Sequence, residues 1–210
     1  FYTRDDIIKS EAGYSAENWT MFAELGWLTV PFTEEDGGFG GKAVDLMVMM
    51  EEFGKGMLVE PYLSCAIMGG TLIADLGSEE QKGALIPQIM EGAMITAVAY
   101  AEQGSRFNPN NVKTSAVASG DEVVLNGVKT AVLGAPNAQT IIVSARESGA
   151  ATDADGISLF LVDANAAGVS IKSYTTIDGR KAGEVTLADV RVPATARLGA
   201  AGGSAATLAA

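Results

Sequence analysis

The chain has 210 residues, with 26 Asp and Glu against 14 Lys and Arg, no histidine and a formal net charge of −12. Nucleic-acid backbones and anionic membrane surfaces need clustered cations, so this balance argues against both partners. The lack of histidine removes His-based triads and most zinc sites, and no metal is expected. A hydrophobic share of 48 % suits a globular chain of one large domain or two modest ones.

The single cysteine, Cys65, lies in an apolar stretch and permits no intrachain disulfide, which fits a reducing, cytoplasmic setting. No run approaches the roughly 18 apolar residues of a membrane span. No signal peptide is visible, and the sequence opens on Phe1 rather than Met, so a longer natural N-terminus is expected.

Phe1 to Tyr14 reads as a loop or the end of a helix. Ser15 is placed to cap a helix carrying Trp19, Phe22, Ala23 and Trp27 on one face, ending at Leu25-Gly26. Val30-Pro31-Phe32 is expected to be extended, since residues before proline avoid the helical region. EEDGGFGG, residues 34–41, lacks the Lys-Ser/Thr of a phosphate loop and reads as a connector. Val44 to Phe53 is a Met-rich amphipathic helix, with Leu46, Met47, Met49, Met50 and Phe53 assigned to the core. Glu51 and Glu52 point about 100° apart on it, which suits a solvated face rather than a catalytic pair.

Glu60-Pro61 opens another helix, which Gly77 ends. Gly69-Gly70 in its middle costs about 1 kcal/mol per glycine, which implies close approach of a second backbone or a ligand. Ser78-Glu79-Glu80-Gln81 is a capping box. The helix it opens ends near Glu91-Gly92, with an expected kink at Pro87.

From Met94 the periodicity changes to strands. Thr96 to Tyr100 is apolar, and a polar break, Glu102-Gln103-Gly104-Ser105, follows it. A Gly-Ser loop at a strand end offers backbone N–H groups and a hydroxyl to a phosphate or a flavin edge. Turns are expected at Ser119-Gly120-Asp121 and at Asn126-Gly127, the latter pair being a strong hairpin signal. Further strands are read at 141–145, 157–162, 169–174, 184–187 and 190–193, with a polar loop at 147–155 and a flexible Gly/Ala tail from Leu198. The expected organisation is an α+β chain. It has a helical domain at 1–93, an antiparallel β-barrel or sandwich at 94–198 and a Gly/Ala linker at 199–210.

The run AYAEQGS, followed by DEVVLNGVK and DVRVP, resembles the middle β domain of the acyl-CoA dehydrogenase family. That family carries a Thr-Glu-Pro-x-x-Gly-Ser-Asp segment, an Asn-Gly-x-Lys hairpin and a Trp-Ile-Thr strand. Glu102, Gly104, Ser105, Asn126, Gly127, Lys129 and Ala145-Arg146 match, and FAELGWLTVPFTEEDGGFGG is similar to the family's helical N-terminal region. The resemblance implies FAD as cofactor, α,β-desaturation of an acyl-CoA thioester, an electron-transfer flavoprotein or similar acceptor, and homo- or hetero-oligomers.

Carried over by position, the resemblance assigns flavin contact to Val98, Ala99, Tyr100, Ala101, Glu102, Gly104, Ser105, Ala131, Val132 and Leu133, and substrate contact to Ser105 and Arg106. It assigns no catalytic base here. The family's base lies in a C-terminal helical domain that these 210 residues do not contain, and the isolated chain is expected to be inactive.

The sequence departs from the family pattern in several places. Ala101 stands for the Thr, Gln103 for the Pro, Arg106 for the acid, Ala131 for the Trp and Leu133 for a Thr, and two residues before Gly104 are missing. Main-chain donors survive such changes; side-chain donors do not. With DGISLFLVDANAAGVS, these departures resemble the small subunits of pimeloyl-CoA dehydrogenases, which leaves a partner subunit with a degenerate flavin site as the alternative.

Overall fold

A computed structural model describes residues 2–106 and 108–209. Its first half is helical: α1 (Tyr2–Lys9), α2 (Ala16–Glu24), a 3₁₀ turn (Trp27–Thr29), α3 (Ala43–Gly56), a π-helical stretch (Leu63–Gly70), α4 (Thr71–Leu76) and α5 (Glu79–Met90). Strands follow: β1 (Thr96–Ala99), β2 (Ser115–Ser119), β3 (Glu122–Leu133), β4 (Thr140–Arg146), β5 (Ile157–Asp163), β6 (Val169–Thr175), β7 (Lys181–Pro193) and β8 (Arg197–Leu198). A short α6 (Ala205–Ala209) comes last. Among the described residues no helix is long and apolar enough to cross a membrane.

The helix ends follow from local chemistry. The Ser15 hydroxyl accepts the Asn18 amide at the start of α2, and Gly26 takes a left-handed φ of 73° just past its end. Ser78 and Gln81 form the reciprocal capping box of α5. That helix runs continuously through Pro87.

Of the two readings left open for the N-terminal stretch, the helical one holds over 2–9, where Ser10 closes α1 by bonding back to Asp6 and Ile7. Several expectations are corrected. Val30 is helical (φ −59°, ψ −41°) rather than extended, held by successive main-chain bonds that carry the 3₁₀ turn on to Phe32. Gly69 and Gly70 are needed for side chains, not for a ligand. A Cβ on Gly69 would lie 2.9 Å from Thr96 Cβ, and one on Gly70 would lie 2.6 Å from the Phe32 ring.

Asn126-Gly127 is not a hairpin turn but a bulge within β3, where the pairing with β7 slips between Leu125 and Gly127. A Cβ on Gly127 would sit 2.7 Å from Thr114 Cα, so glycine lets the strand pass its neighbour. The two strands expected near 184–193 are one strand, β7, which bends at Asp189 (φ 53°). The Gly/Ala tail is tied down: Ser204 N–H donates to Ile157 O and Gly202 N–H to Ser158 Oγ.

The strands form one mixed sheet in the order β6-β7-β3-β2-β4-β5-β8. Its main ladders are antiparallel, but β4 pairs in parallel with β1 and, at Ser115 and Arg146, with β2. Alternate side chains of β1 and β4 serve two cores. Ala97, Ala99, Ile141, Val143 and Ala145 join Leu125, Val132, Phe160, Val185 and Val190, so the sheet curls round its own apolar face. Val98 and Ile142 face the other way and pack with Trp19, Phe22, Leu28, Phe32, Tyr62 and Ile73 of the helical half.

An aromatic cluster of Phe22, Trp27, Phe53 and Tyr62, with ring centroids 4.9–5.5 Å apart along its contacts, fixes α3 to this core. Met49, Met50 and Phe53 point inward. Met47 does not; with Val44 and Val48 it is more than half exposed, because only one stripe of α3 meets the helical core.

Candidate functional site

Strand β1 delivers the chain to a tight turn at 101–106. Glu102 O accepts the Ser105 amide at 3.0 Å, and Ser105 Oγ accepts the Glu102 amide at 3.4 Å. Gly104 (φ 85°) lies on the exposed rim with open space around it. The exposed Arg106 also has a left-handed φ, 48°. Beside this turn, β3 carries a second bulge, where its pairing with β7 slips between Lys129 and Val132 and Ala131 takes a φ of 54°. The Thr130 amide donates to Ala101 O at 2.8 Å and joins turn and bulge into one ledge.

The two stretches assigned to the flavin, 98–105 and 131–133, are thus brought together. Their side chains differ in what they can do. Val98, Ala99 and Val132 are buried in the two cores, so only their main chain is available to a ligand. Tyr100 is half-buried against the helical core. Ala101 and Leu133 are half-buried and Ala131 is exposed. The hydroxyl of buried Ser105 turns back into its own turn.

Glu102 is the unexpected member. Its carboxylate points inward: Oε1 accepts Lys129 Nζ at 2.7 Å, Thr114 Oγ1 at 2.7 Å and the Thr114 amide at 3.0 Å, while Oε2 accepts the Lys113 amide at 2.8 Å. Lys129 is fully buried and also donates to Ser144 Oγ at 2.9 Å. Burial pushes the Glu102 carboxyl up, but the Lys129 ammonium and the Thr114 donors outweigh it and hold it below the ordinary glutamate value. Burial pushes the Lys129 ammonium down, against the pull of Glu102. Near neutral pH the pair is ionised, and both oxygens of Glu102 are engaged from within the protein.

Lys129 appears in the sequence only as a motif match, and its role as a buried counter-charge is missed. One signal was present: a lysine among the apolar residues of VVLNGVKTAVL must either face solvent or find a buried partner. Arg146 is likewise a motif match whose role is missed. It donates to the main-chain carbonyls of Asn110, Val112, Ser148, Ala151, Asp153 and Asp155 at 2.9–3.2 Å, tying the loop at 147–155 to the segment that follows the ledge.

The N-terminal domain model of acyl-CoA dehydrogenases matches residues 4–93, and the middle domain model matches residues 97–190. The chain belongs to the acyl-CoA dehydrogenase family. Acyl-CoA dehydrogenase FadE12 of Mycobacterium tuberculosis is 32 % identical over 210 residues, spanning 95 % of this chain and 52 % of that protein. Among solved structures, the Tcur3481-Tcur3483 steroid ACAD superposes with a TM-score of 0.86 at 28 % identity, over 97 % of this chain and 53 % of that one. The ChsE4-ChsE5 complex from Mycobacterium tuberculosis gives 0.82 at 28 % identity, over 90 % and 49 %. The chain therefore spans about half the length of the dehydrogenases it matches.

Proposed function

We propose that this chain is the helical and middle-domain half of a flavin-dependent acyl-CoA dehydrogenase, and that FAD lies against the ledge at 98–105 and 131–133. The observation that carries this reading is the hydrogen bond between Thr130 N and Ala101 O, which sets the turn beside the Ala131 bulge. The amides of Ala101, Gln103 and Gly104 are available there: none donates a hydrogen bond to another described residue. A flavin ring edge, rich in acceptors, suits such main-chain donors. When bound, FAD supplies the hydride acceptor for α,β-desaturation of an acyl-CoA thioester.

This chain's part is to bind and orient. Arg106, exposed at the end of the turn, suits the anionic portion of an acyl-CoA, whereas the Ser105 hydroxyl, buried and turned inward, does not serve the substrate contact expected of it. Glu102 does not act as the base, because its carboxylate faces inward and is held by Lys129, Thr114 and Lys113. Proton abstraction falls to a group outside the described ledge. An electron-transfer flavoprotein or similar carrier is the acceptor that fits this chemistry.

A second reading has its own support. Ala101, Ala131 and Leu133 present no polar side-chain atom at the ledge, as expected of a partner subunit whose flavin site has lost function. An absorbance scan of the full-length protein, alone and with its partner subunit, separates the two. A band near 450 nm (about where bound oxidised flavins absorb) that bleaches with acyl-CoA supports the dehydrogenase. Flavin found only in the paired complex supports the partner subunit. No flavin in either preparation overturns the flavin reading.

A further inference from the structure

We propose that Lys129 and Glu102 are positioning residues that fix the flavin-contacting ledge from behind, without touching the cofactor. The inference rests on the flavin reading above. Three pieces of chain form the surroundings of the ledge: the turn at 101–106, β3 just before the Ala131 bulge, and the segment entering β2 at 113–114. Glu102 belongs to the first, Lys129 to the second, and the Thr114 and Lys113 amides to the third. One carboxylate therefore holds all three, and Ser144 ties the ammonium to β4.

The ledge needs this support. Ala131 and Arg106 both take left-handed φ values that an L side chain disfavours. Such conformations persist only where neighbouring contacts over-determine them. The ion pair also has no solvent to replace it: Lys129, Ser144 and Thr114 are all essentially inaccessible. Removing the cation alone leaves an anion buried with no counter-charge, the most disruptive way to break such a pair. Because side-chain donors are absent at Ala101, Ala131 and Leu133, cofactor contact depends on main-chain geometry. That geometry is what the pair sets.

The test uses the full-length protein with Lys129→Met, with the double variant Glu102→Gln/Lys129→Met, and with the milder Ser144→Ala. Amide hydrogen exchange is read across the chain, and FAD affinity is measured by flavin fluorescence. Lys129→Met should speed exchange of the hydrogen-bonded ledge amides, those of Glu102, Ser105 and Thr130, by at least about tenfold relative to β5 and β6. It should also weaken FAD binding by at least about tenfold. The double variant, which removes both charges, should recover most of the ledge protection and most of the affinity. Should Lys129→Met fail to fold, Ser144→Ala should show the same regional pattern at smaller amplitude.

Unchanged exchange at the ledge, or a uniform rise over the whole sheet, overturns the positioning role. Ledge-specific loosening by Lys129→Met, together with no FAD binding by the wild-type protein, upholds the positioning role and overturns the flavin reading instead.

Discussion

Asn126 of β3 and Asp189 of β7 exchange two hydrogen bonds: Asn126 Nδ2 donates to Asp189 Oδ1 at 3.0 Å, and the Asp189 amide donates to Asn126 Oδ1 at 2.9 Å. Each residue sits where its strand departs from regular pairing, and Asp189 has a left-handed φ. The pair thus pins two irregularities to each other. Replacing Asn126 by Ala removes both bonds and leaves the Asp189 amide to water. The expected cost is about 1 kcal/mol, since the pair is exposed. Chemical denaturation of Asn126→Ala against wild type checks it.

Among the described residues no carboxylate pairs with Arg146; six carbonyls take its place. Lysine has three donors and no planar fork, so Arg146→Lys strands several of those carbonyls. A loss of about 2 kcal/mol is expected, together with faster protease nicking in the loop at 147–155. A variant as stable and as resistant as wild type would show that water replaces the guanidinium without cost.

Gly70 faces the Phe32 ring with no room for a methyl group. Gly70→Ala should destabilise by about 1–3 kcal/mol through overpacking. Adding Phe32→Leu should recover part of that loss, giving a non-additive double-mutant cycle. Strict additivity would place the strain elsewhere.

Acid stability should depend on Glu102. Its folded carboxyl lies below the unfolded value, so the unfolded chain binds more protons in the window between the two. The stabilisation is fully present above the unfolded pKa of about 4.3 and is lost as pH falls through the folded value. Glu102→Gln lacks this titration. Its melting temperature should start lower at neutral pH but fall less steeply than wild type on acidification below about pH 5. Parallel curves would remove Glu102 from the acid response.

Much of the architecture is legible in the sequence because it is written locally. Ser15, Gly26 and the Ser78–Gln81 box mark helix ends within four residues of the groups they bond. The Ser119-Gly120-Asp121 turn does the same for β2 and β3. What escaped is set at a distance. Asn-Gly serves a turn and a bulge equally well, and only the closeness of Thr114 decides for the bulge. A strand that bends at Asp189 looks like two. The apolar residues of α3 are visible, but not which of them a neighbour covers. Glu102 reads as a site residue because its buried cation lies 27 positions away.

The wall shared by the two cores bears on synthesis. The helical half leaves the ribosome first, yet the face it packs on requires Val98 from β1 and Ile142 from β4. β1 cannot pair with β4, whose partners lie 44 residues further on, until those residues have emerged, a delay of roughly 2–9 s at ordinary elongation rates. Through that interval Trp19, Phe22, Tyr62 and their neighbours have only a partial partner. Conditions that lengthen the interval, such as slow codons between residues 100 and 140, should lower the yield of native protein more than equally slow codons placed after β5.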